Sequence, residues 1–147
     1  MMCMHQIPAT APCACTTLRK TARAVGRVYD DALADAGMTT AQFAVLRHVA
    51  RGEPMPLSRL AESLVMDRTS LYRALAPIEA KGWVVVEPGP GKSRLAALSP
   101  EGRAALAAAV PGWEAAQAKI VGAMGEDMWV GLEFALRAVT RLAQGVK

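Results

Sequence analysis

A chain of 147 residues that is 52% hydrophobic carries enough apolar side chain to close one core without metal or disulfide staples. Its net charge of +4 permits nucleic-acid binding without demanding it, and residues 57–103 hold seven Lys or Arg against five Asp or Glu. No apolar run reaches the length of a membrane span, and the N-terminus lacks the regions of a secretory signal, so a cytoplasmic location without a membrane partner is expected.

Residues 1–12, with Pro8 and Pro12 and no helical period, read as a flexible tail. A first helix is predicted from near Cys13, with Leu18, Ala22, Val25, Tyr29, Ala32 and Ala36 at alternating steps of four and three, a seam suited to packing on another helix; Gly37 is its natural stop. Thr39, three residues before Gln42, gives a capping-box signal for a second helix through Phe43, Leu46, Arg47 and Ala50, ending at Gly52. Pro54 and Pro56 punctuate the entry to the next helix.

The stretch Leu57–Leu98 organises the chain. Leu57, Leu60, Ala61 and Leu64 fall at i, i+3, i+4, i+7, and Leu71, Ala74, Leu75 and Ile78 repeat that spacing, so two short helices each carry one apolar stripe. Val65 and Met66 leave little chain between them, and Asp67 is suited to cap the second. Two such helices must cross, which outlines a helix-turn-helix. At 100° per residue, Thr69, Tyr72, Arg73 and Ala76 lie opposite the Leu71/Leu75/Ile78 stripe, with Ser70 at its edge. Hydroxyls, an aromatic ring and a guanidinium on one face suit a helix that enters the major groove. A merely solvated face would carry the same residues, so the neighbouring pattern has to decide.

Gly82 is placed to end the second helix, Trp83-Val84-Val85-Val86 suits a strand, and Pro88-Gly89-Pro90-Gly91 must turn. Arg94–Leu98 then returns as the partner strand, leaving Lys92 and Arg94 at or near the tip. A basic-tipped hairpin after a helix-turn-helix is a wing, suited to the backbone or minor groove; the plain alternative is a hairpin covering the core.

Ser99-Pro100 starts a further helix through Leu106, Val110, Trp113, Ile120 and Met124, in which Pro111 is predicted to cause a bend. A last helix near Glu126 places Trp129, Leu132, Leu136, Val139 and Ala143 on one stripe. The expected fold is therefore mainly α with a small β-hairpin wing (α+β), a single compact domain. Residues 38–99 form the winged helix-turn-helix, while 13–37 and 100–147 form a helical region whose apolar seams pair across a two-fold axis or bury internally; pairing in a homodimer is the favoured reading.

Taken together, Met38–Leu46, Leu60-Ala61-Glu62, Met66–Arg73, Ile78–Val84 and Leu98-Ser99-Pro100-Glu101-Gly102 resemble the MarR family of bacterial regulators over roughly residues 13–145. The resemblance implies an intertwined winged-helix homodimer that binds double-stranded pseudo-palindromic operators and usually represses transcription. It also implies release by a ligand held between the dimerisation and DNA-binding parts, or by cysteine oxidation. The family commonly carries Asp-x-Arg at the wing tip; here the matching positions read Pro90 and Lys92.

Two signals compete. Arg19 and Arg23, one turn apart, offer a fork for a carboxylate, with Phe43 and Trp113 as an apolar wall, so a small organic acid ranks first; the same arginines on a solvated face, or paired with Asp30, Asp31 or Asp35 of a partner chain, are the alternative. Thiol oxidation ranks second. Cys13-x-Cys15, with only His5 and His48 elsewhere, lacks zinc spacing, so no metal or cofactor is expected. Cys15 falls in the first turn of the first helix, where free N–H groups favour a thiolate, and Arg19 follows one turn later. By resemblance, Cys15 matches the reactive cysteine of the hydroperoxide-sensing branch and Tyr29 one of its activating tyrosines, while Arg19 and Thr40 stand at the other two. A small buried apolar cysteine is the competing reading.

Catalysis is not expected: no Gly-rich phosphate loop follows a strand, no His-Glu-x-x-His is present, and the chain leaves no room for a nucleotide-binding fold. A protein-interaction adaptor is the remaining class, and the joint placement of Thr69, Tyr72 and Arg73 argues against it.

Overall fold

The structure, a computed structural model, describes residues 8–146. Helix α1 (Ala14–Leu33) runs into a 3₁₀ turn (Ala34–Ala36) that closes at Gly37, whose φ of 64° is left-handed. After it come α2 (Thr40–Arg51), β1 (Met55–Pro56), α3 (Leu57–Leu64), α4 (Arg68–Ala80), β2 (Val84–Pro88), β3 (Arg94–Leu98), α5 (Pro100–Met124) and α6 (Glu126–Gly145). The predicted first helix thus starts as expected, with Cys13 as its N-cap, but ends four residues before Gly37. Of the predicted tail, residues 1–7 lie outside the described residues. No described helix is long and apolar enough to cross a membrane.

Local chemistry accounts for the element ends. Thr39 and Gln42 form the full capping box of α2, and Ser99 caps α5 ahead of Pro100. Trp83 N–H bonds Ile78 O, and Gly82, with φ 72°, turns the chain out of α4. Helix α5 continues across the exposed Pro111 to Met124.

The sheet is antiparallel with strand order β1-β3-β2. Two corrections to the sequence reading arise here. Pro88 does not begin the turn but closes β2, paired with Arg94; β2 is an edge strand, where a missing N–H need cost no ladder bond. The third strand, β1, pairs Met55 with Ala96 and Pro56 with Leu95, so a stretch read as punctuation belongs to the sheet.

The core lies beneath the winged unit. Leu46, Val49, Leu60, Leu71, Leu75 and Ile78 are essentially buried, joined by Leu33 at the end of α1, by Met38 just before α2, and by Ala96 and Leu98 from β3. Each such large aliphatic side chain contributes about 1.5–3 kcal/mol by leaving water. Two glycines allow close backbone approach. A Cβ on Gly102 would stand 1.9 Å from Trp83 O, and one on Gly112 would stand 2.3 Å from Ala32 O. Gly102 therefore lets α5 dock on the start of β2, and Gly112 lets it dock on α1. The Ser99 hydroxyl donates to Gly82 O while accepting from Gly102 N–H at 2.9 Å, which ties the same junction. Glu53 adds a second tie, accepting from Leu98 N–H and pairing with Arg103.

Candidate nucleic-acid interface and effector cavity

The outward face of α4 begins at its cap. Asp67 accepts from the Ser70 N–H at 2.8 Å and the Ser70 hydroxyl at 2.9 Å. Those bonds hold the Asp67 carboxyl below the usual carboxylate range, the Ser70 backbone N–H contributing most. Burial of Leu71, Leu75 and Ile78 fixes the rotation of the helix and leaves Thr69, Ser70, Tyr72 and Arg73 exposed. Ser70 differs from the other three because its proton is committed to Asp67, leaving its oxygen as an acceptor. Arg68, which the sequence reading passed over, sets its guanidinium 5.9 Å from the Tyr72 ring centroid.

The wing tip spans residues 89–93 and is closed without an acidic residue. Gly89 N–H bonds Ser93 O at 2.8 Å, Ser93 N–H bonds Pro90 O at 3.2 Å, and the Ser93 hydroxyl donates to Pro90 O at 2.6 Å. Gly91, with φ 64°, makes the bend. Ser93 therefore closes a tip that has Pro90 and Lys92 where Asp-x-Arg is common. A cleft of about 280 Å³ separates the wing from α3 and α4, lined by Leu57, Ser58, Ala61, Arg68, Leu71, Tyr72, Lys92, Ser93 and Arg94. Three predicted residues, Tyr72, Lys92 and Arg94, meet there, whereas Thr69, Ser70 and Arg73 stand outside it.

A second cavity, about 460 Å³, opens between α1, α2 and α5. Phe43 and Trp113 stack in its wall with centroids 5.8 Å apart and rings 19° from parallel, and the Arg47 guanidinium lies 4.3 Å from the Trp113 ring. Tyr29, also in the lining, donates to Gln117 Oε1, and burial pushes its phenol up from the ordinary value. His48 Nδ1 donates to Ala44 O at 2.7 Å. The buried Thr40 hydroxyl has no hydrogen-bond partner among the described residues. Phe43 and Trp113 are thus brought together as the apolar wall, but Arg19 and Arg23, exposed on α1, are not among the residues that line the cavity. The cations at the cavity are Arg47 and Arg51. Their signal was present in the sequence: Phe43, Arg47 and Arg51 recur at steps of four, hence on one helical face.

Cys13 and Cys15 are both exposed in the single chain, which overturns the buried-cysteine alternative for it. Cys13, two residues before the expected Cys15, sits at the N-cap of α1. The Thr16 hydroxyl, then the Thr16 N–H, hold the Cys13 thiol below its ordinary value, although no cap hydrogen bond of full geometry forms.

A helix-turn-helix with an exposed hydroxyl, aromatic and arginine face, flanked by a basic wing, defines a winged-helix transcriptional regulator. A sequence profile described as MarR family matches residues 36–95. The transcriptional regulator MosR of M. tuberculosis, solved in complex with DNA, is 32% identical, with 92% of this chain and 99% of that chain covered and a TM-score of 0.86. The chain belongs to the MarR family. At lower identity the fold recurs in Bordetella bronchiseptica BpsR, whose DNA binding is regulated by 6-hydroxynicotinic acid (19% identity, 92% of this chain and 98% of that chain, TM-score 0.78). It recurs again in Rhodococcus jostii CouR bound to p-coumaroyl-CoA (18%, 84% and 88%, TM-score 0.73). No curated protein matches the chain closely enough in sequence to count as a relative.

Proposed function

We propose that this regulator is a repressor that binds a pseudo-palindromic operator as a homodimer and leaves it when a small aromatic or carboxylate compound fills the cavity between α1, α2 and α5. The observation that carries the effector reading is the Phe43–Trp113 stack with Arg47 over it. Aromatic faces and a guanidinium in one open cavity suit a planar ring bearing an anionic group. The regulation of BpsR by 6-hydroxynicotinic acid and the p-coumaroyl-CoA bound to CouR support an aromatic effector. On DNA, Thr69, Tyr72 and Arg73 read base edges, Ser70 accepts from a base or bonds the backbone, and Lys92 and Arg94 hold phosphate.

The test is a binding titration of the full chain on a duplex it selects from a random pool, with and without a panel of aromatic acids. Arg73→Ala is expected to weaken binding by about 1–3 kcal/mol and relax base preference at one position. Unchanged affinity and preference would remove Arg73 from the interface. Release by one or more acids, lost in Arg47→Ala or Trp113→Ala, is expected; release that persists in both variants would move the effector elsewhere.

Thiol oxidation is the second reading, favoured by two exposed cysteines at the start of α1 and the lowered Cys13 thiol. It requires peroxide to release the reduced protein from DNA, and thiol reductant to restore binding. Substituting Cys13 and Cys15 by Ser, singly and together, should abolish that response, and release persisting in the double variant would discard it.

A further inference from the structure

Resting on the DNA-binding reading, we propose that the cleft between α4 and the wing seats a phosphodiester of the DNA backbone, and that Arg68 grips it. Arg68, Lys92 and Arg94 converge on the cleft, and among the described residues no carboxylate is in its lining. Among the described residues none of the three is in an ion pair. Asp67, the acid next in sequence, turns its two oxygens to Ser70. Cations gathered around one small space repel each other until an anion enters it.

The floor of the cleft argues for a sugar–phosphate strand rather than a free anion. Ala61 and the part-exposed Tyr72 ring supply apolar surface, which suits a deoxyribose, while the cations stand ready for its phosphate. Duplex geometry leads to the same occupant. A recognition helix in the major groove and a wing in the neighbouring minor groove have one backbone strand between them. The cleft is the space between those two elements. Tyr72 orients the grip, since its ring lies 5.9 Å from the Arg68 guanidinium carbon.

The full chain, Arg68→Ala and Arg68→Lys should be titrated over a salt series on the selected duplex and on an unrelated one. Arg68→Ala is expected to lower affinity for both duplexes by the same factor and to reduce the steepness of log K against log salt by about 0.9, the loss of one phosphate contact. Arg68→Lys should restore the slope. Single methylphosphonate linkages, scanned along the selected duplex, should reveal one position that weakens the wild type by a clearly larger factor than it weakens Arg68→Ala, in which Lys92 and Arg94 still face that phosphate. A loss confined to the selected duplex, with altered base preference, would make Arg68 a base reader and overturn the proposal. An unchanged slope, or no methylphosphonate position coupled to Arg68, would overturn it too. Failure of the wild type to bind any duplex would instead remove the DNA-binding reading on which it rests.

Discussion

Asp67 shows how one side chain joins folding to recognition. Its carboxylate starts the helix that carries Thr69, Tyr72 and Arg73, and its pKa is lowered by the bonds that do so. A group whose pKa is lower folded than unfolded stabilises the fold above its unfolded value and loses that contribution as pH falls through the folded value. The Asp67 contribution is therefore intact at neutral pH and disappears on acidification, beginning in the ordinary carboxylate range. Asp67→Asn should keep the cap, since Asn caps well, while removing this part of the acid dependence. Thermal melts of both proteins between neutral and acid pH check this: the wild type should lose more stability than the variant. Parallel curves would show that the cap does not titrate with folding.

Turns between elements separate what the sequence displayed from what it concealed. Helix caps and stripes were readable because each rests on neighbours three or four residues apart: Thr39 with Gln42, Asp67 with Ser70, Leu71 with Leu75 and Ile78. The wing was readable from its prolines and glycines. The short strand β1 was not, since two residues carry no period and its partners, Ala96 and Leu95, lie about forty positions away. For the same reason the Arg47–Trp113 stack was missed and the nearer pair Arg19/Arg23 preferred. Val65 was concealed differently. It adopts φ 55° at the end of α3, a left-handed conformation that β-branched residues avoid, and its type gave no warning. Its side chain is largely exposed, so little packing would be lost on removing it. Val65→Gly should raise stability by about 1 kcal/mol through relief of that conformation, measured by urea denaturation. A destabilised variant would mean that the valine contributes more by contact than its backbone costs.

At the scale of the molecule, α6 is the element without a place of its own. The predicted stripe of Leu132, Leu136 and Val139 is present, yet Met128, Val130, Phe134 and Leu142 are more exposed still, Phe134 at 69%. At 100° per residue Met128 and Leu142 flank the predicted stripe while Val130 and Phe134 lie roughly opposite it, so the helix carries two apolar faces that need cover from different directions. Leu18, 40% exposed, leaves α1 with an uncovered apolar side chain as well. We propose that residues 13–37 and 100–147 form the dimerisation region, and residues 38–99 the DNA-binding region. Sedimentation equilibrium should give a mass near twice 15.5 kDa, and a monomer at every concentration would exclude the arrangement. Helix α5 then acquires a mechanical meaning. Ser99 and Gly102 pin its first turn to the root of the wing, while Trp113 and Gln117, farther along, face the cavity. At 1.5 Å per residue the arm from Ser99 to Trp113 is roughly 21 Å, so a tilt of about five degrees sweeps the wing root by roughly 2 Å. Two such arms, moving symmetrically, would throw the wings off the one-turn spacing of half-sites, and the dimer would measure its effector as a length along DNA.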